Sequence, residues 1–372
     1  KNADSIANIC NQHGIDLVII GPEQPLVEGL VDDLQLKNIN VFGPSAKASR
    51  LEGSKAFSKE FFNKYKIPTA NYATFNNIES ALDHLKNISF PTVIKADGLA
   101  AGKGVLICQT IKEGKKALEE IFVDNAFGSA GNKVVIEDFL EGEEASFIAV
   151  VSGEEIIPLA TSQDHKAAYD GDKGPNTGGM GAYSPAPIVT DELHKKIMDE
   201  VMSPTVKGLI AEGSSYLGFL YAGLMIKDDE INVLEFNCRF GDPETQPIMM
   251  RLESSLVELC LAAINNTLGS HQVRWSSNHA CGVVIASEGY PGNYETNKEV
   301  VINNHSEDGV KLFHAGTKIQ DNQLVTSGGR VFCATGTGAD LATAQKNAYN
   351  LVSKISFKGA VNRKDIGNKG IS

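Results

Sequence analysis

Apolar positions along the chain alternate between two spacings, and each change of spacing marks an element. Residues 16–20 (DLVII) form a short apolar run closed by Gly21-Pro22, and residues 40–43 (NVFG) repeat it before Pro44. Each predicts a buried parallel strand, and the helical spacing over 25–36 makes the opening ~50 residues part of a strand-helix-strand fold. Ser54 can cap a helix whose apolar face is Phe57, Phe61, Phe62 and Tyr65 and which stops before Pro68. From 71 to 144 strands and helices interleave: a strand at 92–96, a glycine-rich stretch, a strand resuming at Val105, a helix from Ile111 with Thr110 and Glu113 as a capping box, and a strand at 134–136. Residues 145–151 and 155–159 flank Ser152-Gly153 as a hairpin. The polar, glycine-rich segment 162–184 is too long for a simple turn and reads as a functional loop. Thr190 caps a long helix to Ala211, a second hairpin joins 220–226 to 230–236 around Asp228-Asp229, and a helix covers 255–265. From Trp275 onward, strands at 280–286, 310–314 and 330–334 precede a helix over 341–355 capped by Asp340.

Size and charge narrow the classes. A chain of 372 residues predicts two to three packed units, and 42% hydrophobic with 22% charged residues is an ordinary globular composition. No apolar run approaches the ~20 residues of a membrane span, and residues 1–10 lack a secretory apolar core, so the cytoplasm is the expected compartment. The six cysteines are scattered without a CxxC pair and read as reduced core residues. A net charge of -12 disfavours nucleic-acid or anionic-membrane surfaces while leaving room for a local basic pocket.

Four segments carry candidate chemistry. In residues 95–104 (KADGLAAGKG), glycines let backbone amides approach oxyanions while Lys95 and Lys103 add charge. The reading is a hairpin loop over nucleotide phosphates, against a plain turn; the spacing is not that of a P-loop. In residues 234–244 (LEFNCRFGDPE), strand alternation puts Glu235, Asn237 and Arg239 on one face and Leu234, Phe236 and Cys238 in the core. Such oxygen ligands suit magnesium or manganese completed by phosphates, and arginine offers a fork for a carboxylate or phosphate. The bland alternative is a solvated strand face. In residues 161–166 (TSQDHK) and 174–181 (GPNTGGMG), Lys166 and the amides of 178–181 can grip anions and Asp164 an amine, against an ordinary surface loop; His165 reads as structural. Residues 135–144 (VIEDFLEGEE) end a strand and cross to the next lobe, where backbone can meet adenine and a carboxylate ribose, or serve only as an acidic linker.

The order of these motifs resembles that of ATP-grasp enzymes, and within them the chain resembles the phosphoribosylamine-glycine ligase family from about residue 16 to 367. The strings LEGSKAF (51–57), KADGLAAGKG (95–104), IEDFLEGEEAS (136–146), TSQDHK (161–166), GPNTGGMGAYSP (174–185), EFNCRFGDPETQP (235–247) and RKDIG (363–367) carry the likeness. It implies an α/β and α+β architecture: a partial Rossmann-like N-terminal domain (1–56), an ATP-grasp domain (57–270, small lobe about 72–144) and a small C-terminal α+β domain (271–372). It also implies ATP, glycine and phosphoribosylamine as substrates, Mg2+ or Mn2+ as cofactor, and a monomer or weak dimer. Lys55, Lys95, Gly102, Lys103 and Gly104 then fall at the ATP phosphates, Glu137, Asp138, Phe139 and Leu140 at adenine, and Glu143 and Glu144 at ribose. Glu235 and Asn237 fall at the metal and Arg239 at the glycine carboxylate, with Lys95, Lys103 and Arg239 as the catalytic set. Asp164, Lys166, Asn176, Thr177, Gly178, Gly179 and Gly181 fall around the sugar phosphate and amine. The family opens with a strand and glycine-rich turn upstream of anything in this sequence, so the likeness implies an incomplete chain or a missing part of the fold, with Glu23 after Gly21-Pro22 in the surviving half of the phosphoribosyl site. The rivals are another ATP-grasp ligase, such as a carboxylase acting on a purine precursor or on biotin, and a nucleotide-binding module without turnover.

Overall fold

The computed structural model describes residues 2–100, 104–124, 126–303 and 308–371. It divides into two compact units, one of Lys1–Pro158, Thr190–Phe240 and Leu256–Gln272, the other of Leu159–Val189, Gly241–Ser255 and Val273–Ser372.

The first unit opens with a helix that the apolar pattern had not marked, Ala3–His13, whose start is capped by the Asn2 side chain accepting from the Asp4 N–H. Strands Val18–Ile19 and Val41–Phe42 pair in parallel as expected. The segment between them is two short helices, Glu23–Val27 and Leu30–Gln35, because Gly29 turns left-handed at φ 85° and breaks the continuous helix its apolar spacing suggests. A four-stranded sheet follows in the order Tyr72–Phe75, Val134–Asp138, Thr92–Ala96, Val105–Cys108. Helices Ile78–Leu85 and Ile111–Phe122 cover it, with Leu85, Ile94, Leu118 and Ile136 among the buried contacts. Each such side chain contributes roughly 1.5–3 kcal/mol through burial. The predicted capping box forms with a slip: Thr110 accepts from the Glu113 N–H, while Glu113 accepts from the N–H of Gln109.

A second sheet of the same unit runs Glu230–Asn237, Leu217–Lys227, Glu143–Ser152, Glu155–Pro158, entirely antiparallel. Its first two strands turn at Asp228 and Asp229, both at positive φ (49° and 62°), which matches the right-handed strand twist of a tight hairpin. The helix predicted from Thr190 to Ala211 forms with Thr190 as its cap, interrupted by a wide turn over Met198–Met202.

In the second unit the segment read as a long loop is largely strand. Gln163–Asp164 pairs with Gly181–Ser184, and Ala167–Tyr169 with Lys173–Asn176 as a hairpin. The short strands give the polar backbone its hydrogen bonds, which is why so long a stretch need not stay irregular. Gly181–Ser184 also joins His279–Ser287, which pairs with Arg330–Gly338 and through it with Val310–His314. Helix Leu341–Val352 packs on this sheet, starts at Asp340 as predicted, and ends before the strand Ile355–Ser356 rather than reaching residue 355. All six cysteines are reduced and buried.

Candidate active site

In the first unit, Ser54 caps helix Lys55–Tyr65 and its hydroxyl donates to Asp97 Oδ1 at 3.0 Å, while Asp97 Oδ1 also accepts the Ala56 N–H at 2.7 Å. The LEGSKAF and KADG segments are thereby joined, and Lys55 donates to the Gly98 carbonyl at 3.2 Å. Burial lowers the Lys55 pKa, opposed by the negative charge of Glu235.

Lys95 stands on the face of its strand opposite the buried Ile94 and Ala96. Its ammonium lies 2.9 Å from Glu137 Oε1 and donates to the Leu234 carbonyl at 3.2 Å. The other carboxylate oxygen of Glu137 is 2.9 Å from Lys59 Nζ, which also donates to Thr69 Oγ1 at 2.6 Å; Thr69 in turn donates to the Val233 carbonyl at 2.6 Å. Lys59, Lys95 and Glu137 are all buried, and desolvation pushes Lys59 down to about 8 against the pull of Glu137. Glu137, expected beside adenine, thus spends its side chain on two lysines.

The strand carrying Glu235 and Asn237 departs from simple alternation. Gly223 pairs with Glu235 and Leu224 with Val233, which leaves Leu234 as an extra residue. Ile231 and Val233 are buried before this bulge and Phe236 and Cys238 after it, while Leu234 itself is only half-buried. The expectation that Leu234 points into the core is therefore corrected. The bulge changes the phase of the strand, and without it Glu235 and Asn237 would follow Val233 inward. Among the described residues no group of three or more His, Cys, Asp or Glu side chains is arranged to hold a metal. One carboxylate and one amide oxygen on a single strand face nevertheless fit a hard divalent ion that keeps several waters and takes the rest of its ligands from phosphates.

Arg239 Nε lies 3.3 Å from both Glu23 Oε2 and Glu52 Oε1, and its remaining nitrogens donate to the Phe240 carbonyl (3.1 Å) and Asn237 Oδ1 (3.4 Å). Glu52 accepts the Cys238 N–H at 2.7 Å, and burial raises its pKa to about 7 against the pull of Arg239. Glu23 also lines a cavity of about 480 Å³ with Glu28, Gly53, Asp97 and Gly98. Asp138 is exposed and accepts from Asn71 Nδ2 at 2.8 Å, Phe139 and Leu140 are half-buried, and Glu143 and Glu144 pair across from Ile226 and Met225. Gly104 accepts from the Ala96 N–H at 2.8 Å. Gly102 and Lys103 lie outside the described residues.

In the second unit, Asp164, Lys166 and Asn176 are half-buried. The Thr177 N–H and hydroxyl both donate to the Lys166 carbonyl at 2.8 Å, and Thr177 Oγ1 accepts the Gly179 N–H. The Gly178 N–H goes to the Tyr290 hydroxyl and that of Met180 to the His165 carbonyl. The amides of 178–180, expected to face an anion, are thus taken by the protein. Gly179 sits at φ 112°, where an added Cβ would lie 2.3 Å from Pro243 Cδ and 2.8 Å from Asp164 Oδ1. Gly181 pairs with Val283 in the sheet. His165 is buried, which holds its pKa down at about 4 with help from Arg363 and Lys369, so its ring is neutral and structural.

Neither Lys59 nor Glu52 stands out in the sequence as a site residue. The i, i+4 spacing of Lys55 and Lys59 on one helix was the available signal for the first, and the LEGSKAF string contained the second without showing its contact.

Three segments match models of the phosphoribosylglycinamide synthetase family: its N domain at residues 1–52, its ATP-grasp (A) domain at 53–245 and its C domain at 280–369. The chain is 53% identical over 371 residues to the phosphoribosylamine-glycine ligase of Salmonella typhimurium, covering 99% of this chain and 86% of that protein. The enzyme of Escherichia coli K12 gives the same identity and coverage. A crystal structure of phosphoribosylamine-glycine ligase from Thermotoga maritima superposes with a TM-score of 0.81 at 38% identity, over 88% of this chain and 82% of that one. The biotin carboxylase domain of a Hydrogenobacter thermophilus 2-oxoglutarate carboxylase, at 17% identity, 97% and 79% coverage and a TM-score of 0.76, shares the fold alone. The chain belongs to the phosphoribosylglycinamide synthetase family, whose curated relatives carry the name phosphoribosylamine-glycine ligase.

Proposed function

We infer that the protein joins glycine to phosphoribosylamine at the expense of ATP, giving glycinamide ribonucleotide, ADP and phosphate in purine synthesis. The observation that carries the chemistry is the contact of the Lys95 ammonium with the bulged Leu234 carbonyl, which sets a cation beside the strand face bearing Glu235 and Asn237, with Arg239 in the bend that follows.

A glycine carboxylate oxygen attacks the terminal phosphorus of ATP and ADP leaves, forming glycyl phosphate. The amine of phosphoribosylamine then attacks the glycyl carbonyl carbon, phosphate departs, and the nitrogen gives up a proton. Lys55 and Lys95 neutralise the phosphates, Gly102, Lys103 and Gly104 belong to the same ATP-binding set, and the backbone of 137–140 with Glu143 or Glu144 receives the nucleoside. Glu235 and Asn237 hold Mg2+ or Mn2+, which supplies charge neutralisation at the phosphates. Arg239 takes the glycine carboxylate, and Glu23, Asp164, Lys166, Asn176 and Thr177 take the acceptor, with Gly178, Gly179 and Gly181 shaping the backbone beside it. These groups position reactants and stabilise charge; the scheme needs no covalent protein nucleophile.

The same reading makes the protein a cytoplasmic monomer or weak dimer that binds no nucleic acid or membrane, used as functional segments 1–56, 57–270 and 271–372. The net charge of -12 supports the part that concerns nucleic acid and anionic membrane surfaces. Sustained ADP release over many turnovers should require glycine and phosphoribosylamine together with ATP. Release that ignores glycine, or that needs bicarbonate in its place, would remove this function.

A further inference from the structure

Arg330 lies on the strand Arg330–Gly338, outside every string that carried the family likeness. Its Nη1 donates to the carbonyls of Gly178 (2.7 Å), Gly179 (3.3 Å) and Asp242 (2.7 Å), and its Nη2 to Asp242 Oδ2 (3.1 Å). One side chain therefore ties the GPNTGGMG segment to the GDPETQP turn. Two further features show that the glycine segment is held and not merely covered. Tyr290 accepts the Gly178 N–H at 3.0 Å, and the guanidinium lies so close to Gly178 that an added Cβ there would be 3.1 Å from Arg330 Cζ. Gly179, at φ 112°, runs so close to the Asp242-Pro243 turn that an added Cβ would lie 2.3 Å from Pro243 Cδ, and Arg330 bonds that turn through both the backbone and the side chain of Asp242.

We propose that Arg330 is a positioning residue for the acceptor half of the reaction: it fixes the backbone of 176–181, and with it the place where Asn176, Thr177 and Asp164 meet phosphoribosylamine. The inference rests on the proposed role of that loop in acceptor binding. A planar guanidinium suits the task because one nitrogen serves three carbonyls while its neighbour turns to a carboxylate; a lysine ammonium can keep only part of that set.

The test compares Arg330→Met, Arg330→Lys and Asn176→Ala. KM and kcat are measured for phosphoribosylamine, generated in the assay from ribose 5-phosphate and ammonia, and for glycine and ATP. Amide hydrogen exchange is followed in the peptide spanning 174–185. Arg330→Met should raise the KM for phosphoribosylamine about ten- to a hundredfold, the equivalent of about one lost charge-assisted bond. The KM values for ATP and glycine should stay within about twofold. Exchange in the loop should quicken, and Arg330→Lys should recover part of both effects. A merely structural arginine would not separate the substrates, so equal shifts in all KM values, or unchanged loop exchange, overturn the inference. If Asn176→Ala raises the acceptor KM and Arg330→Met does not, Arg330 has no positioning role. If Asn176→Ala leaves the acceptor KM untouched, it is the loop reading that fails. Should Arg330→Met not fold, the lysine variant carries the same comparison.

Discussion

The ammonium of Lys95 rests 3.2 Å from the carbonyl oxygen of Leu234, the extra residue in the bulge of strand Glu230–Asn237. Lys59 reaches the preceding carbonyl, Val233, through Thr69, and Glu137 lies between the two lysines. A single network of mostly buried groups therefore spans the two four-stranded sheets of the first unit and bonds the carbonyls of the bulge that re-aims Glu235 and Asn237.

Glu137→Gln keeps the shape of that network and removes its only negative side chain. Two buried ammonium groups then face an uncharged amide, and breaking such a pairing costs roughly 3–5 kcal/mol. Part of that cost should be relieved by Lys59, whose pKa already stands at about 8. Chemical denaturation should show a loss of stability in that range, with partial recovery on adding Lys59→Met. A loss under about 1 kcal/mol would mean that Glu137 is not the hub.

Glu235→Ala and Asn237→Ala should each cut turnover sharply while leaving the unfolding midpoint near its original value, because both side chains are half-buried on the face that the bulge turns away from Phe236 and Cys238. The metal concentration for half-maximal rate should rise in both. Unchanged rates at low metal would dismiss the pair as ligands.

Arg239→Lys keeps the charge but loses the fork. If the guanidinium grips the glycine carboxylate, kcat/KM for glycine should fall by about ten- to a hundredfold while the ATP dissociation constant hardly moves. Glu23 and Glu52 pull on Nε, so the lysine should remain anchored and folded. An equal loss of ATP affinity would reassign Arg239 to phosphate.

Asp365 carries a pH signature. Burial raises its pKa, but hydrogen bonds from Arg363 and the Gly171 N–H outweigh this and hold it at about 2, below the ordinary 3.8. A depressed carboxylate stabilises the fold fully above its unfolded value and loses that contribution as pH falls through the folded one. Asp365→Asn should therefore lower the melting temperature near neutrality, with the gap to the parent closing between about pH 4 and 2. A gap that is constant across that window would show that the carboxylate's charge is not what matters.

The hairpins, capped helices and motif order were legible because each has a local cause: Thr190, Asp340 and Ser54 cap where their side chains say, and Asp228-Asp229 turns where two residues tolerate positive φ. The ATP-grasp fold and the ligase function followed from the order of the strings. The bulge at Leu234 was hidden because alternation read from 234 to 238 looks regular, and the slip shows only when the adjacent apolar Val233 and Leu234 are compared with Ile231. Lys59 was hidden for another reason: a lysine on an amphipathic helix reads as solvated, and only the carboxylate of Glu137, arriving from a distant strand, explains its side-chain exposure of 2%. Arg330 acts across 152 positions on a glycine carbonyl, a partnership with no local trace.

The central claim, that glycine is activated as an acyl phosphate before the amine attacks, is tested most directly by isotope transfer. With glycine labelled by 18O in its carboxylate, and all three substrates present, each phosphate released should carry one labelled oxygen from glycine. Unlabelled phosphate formed alongside stoichiometric glycinamide ribonucleotide would contradict the account.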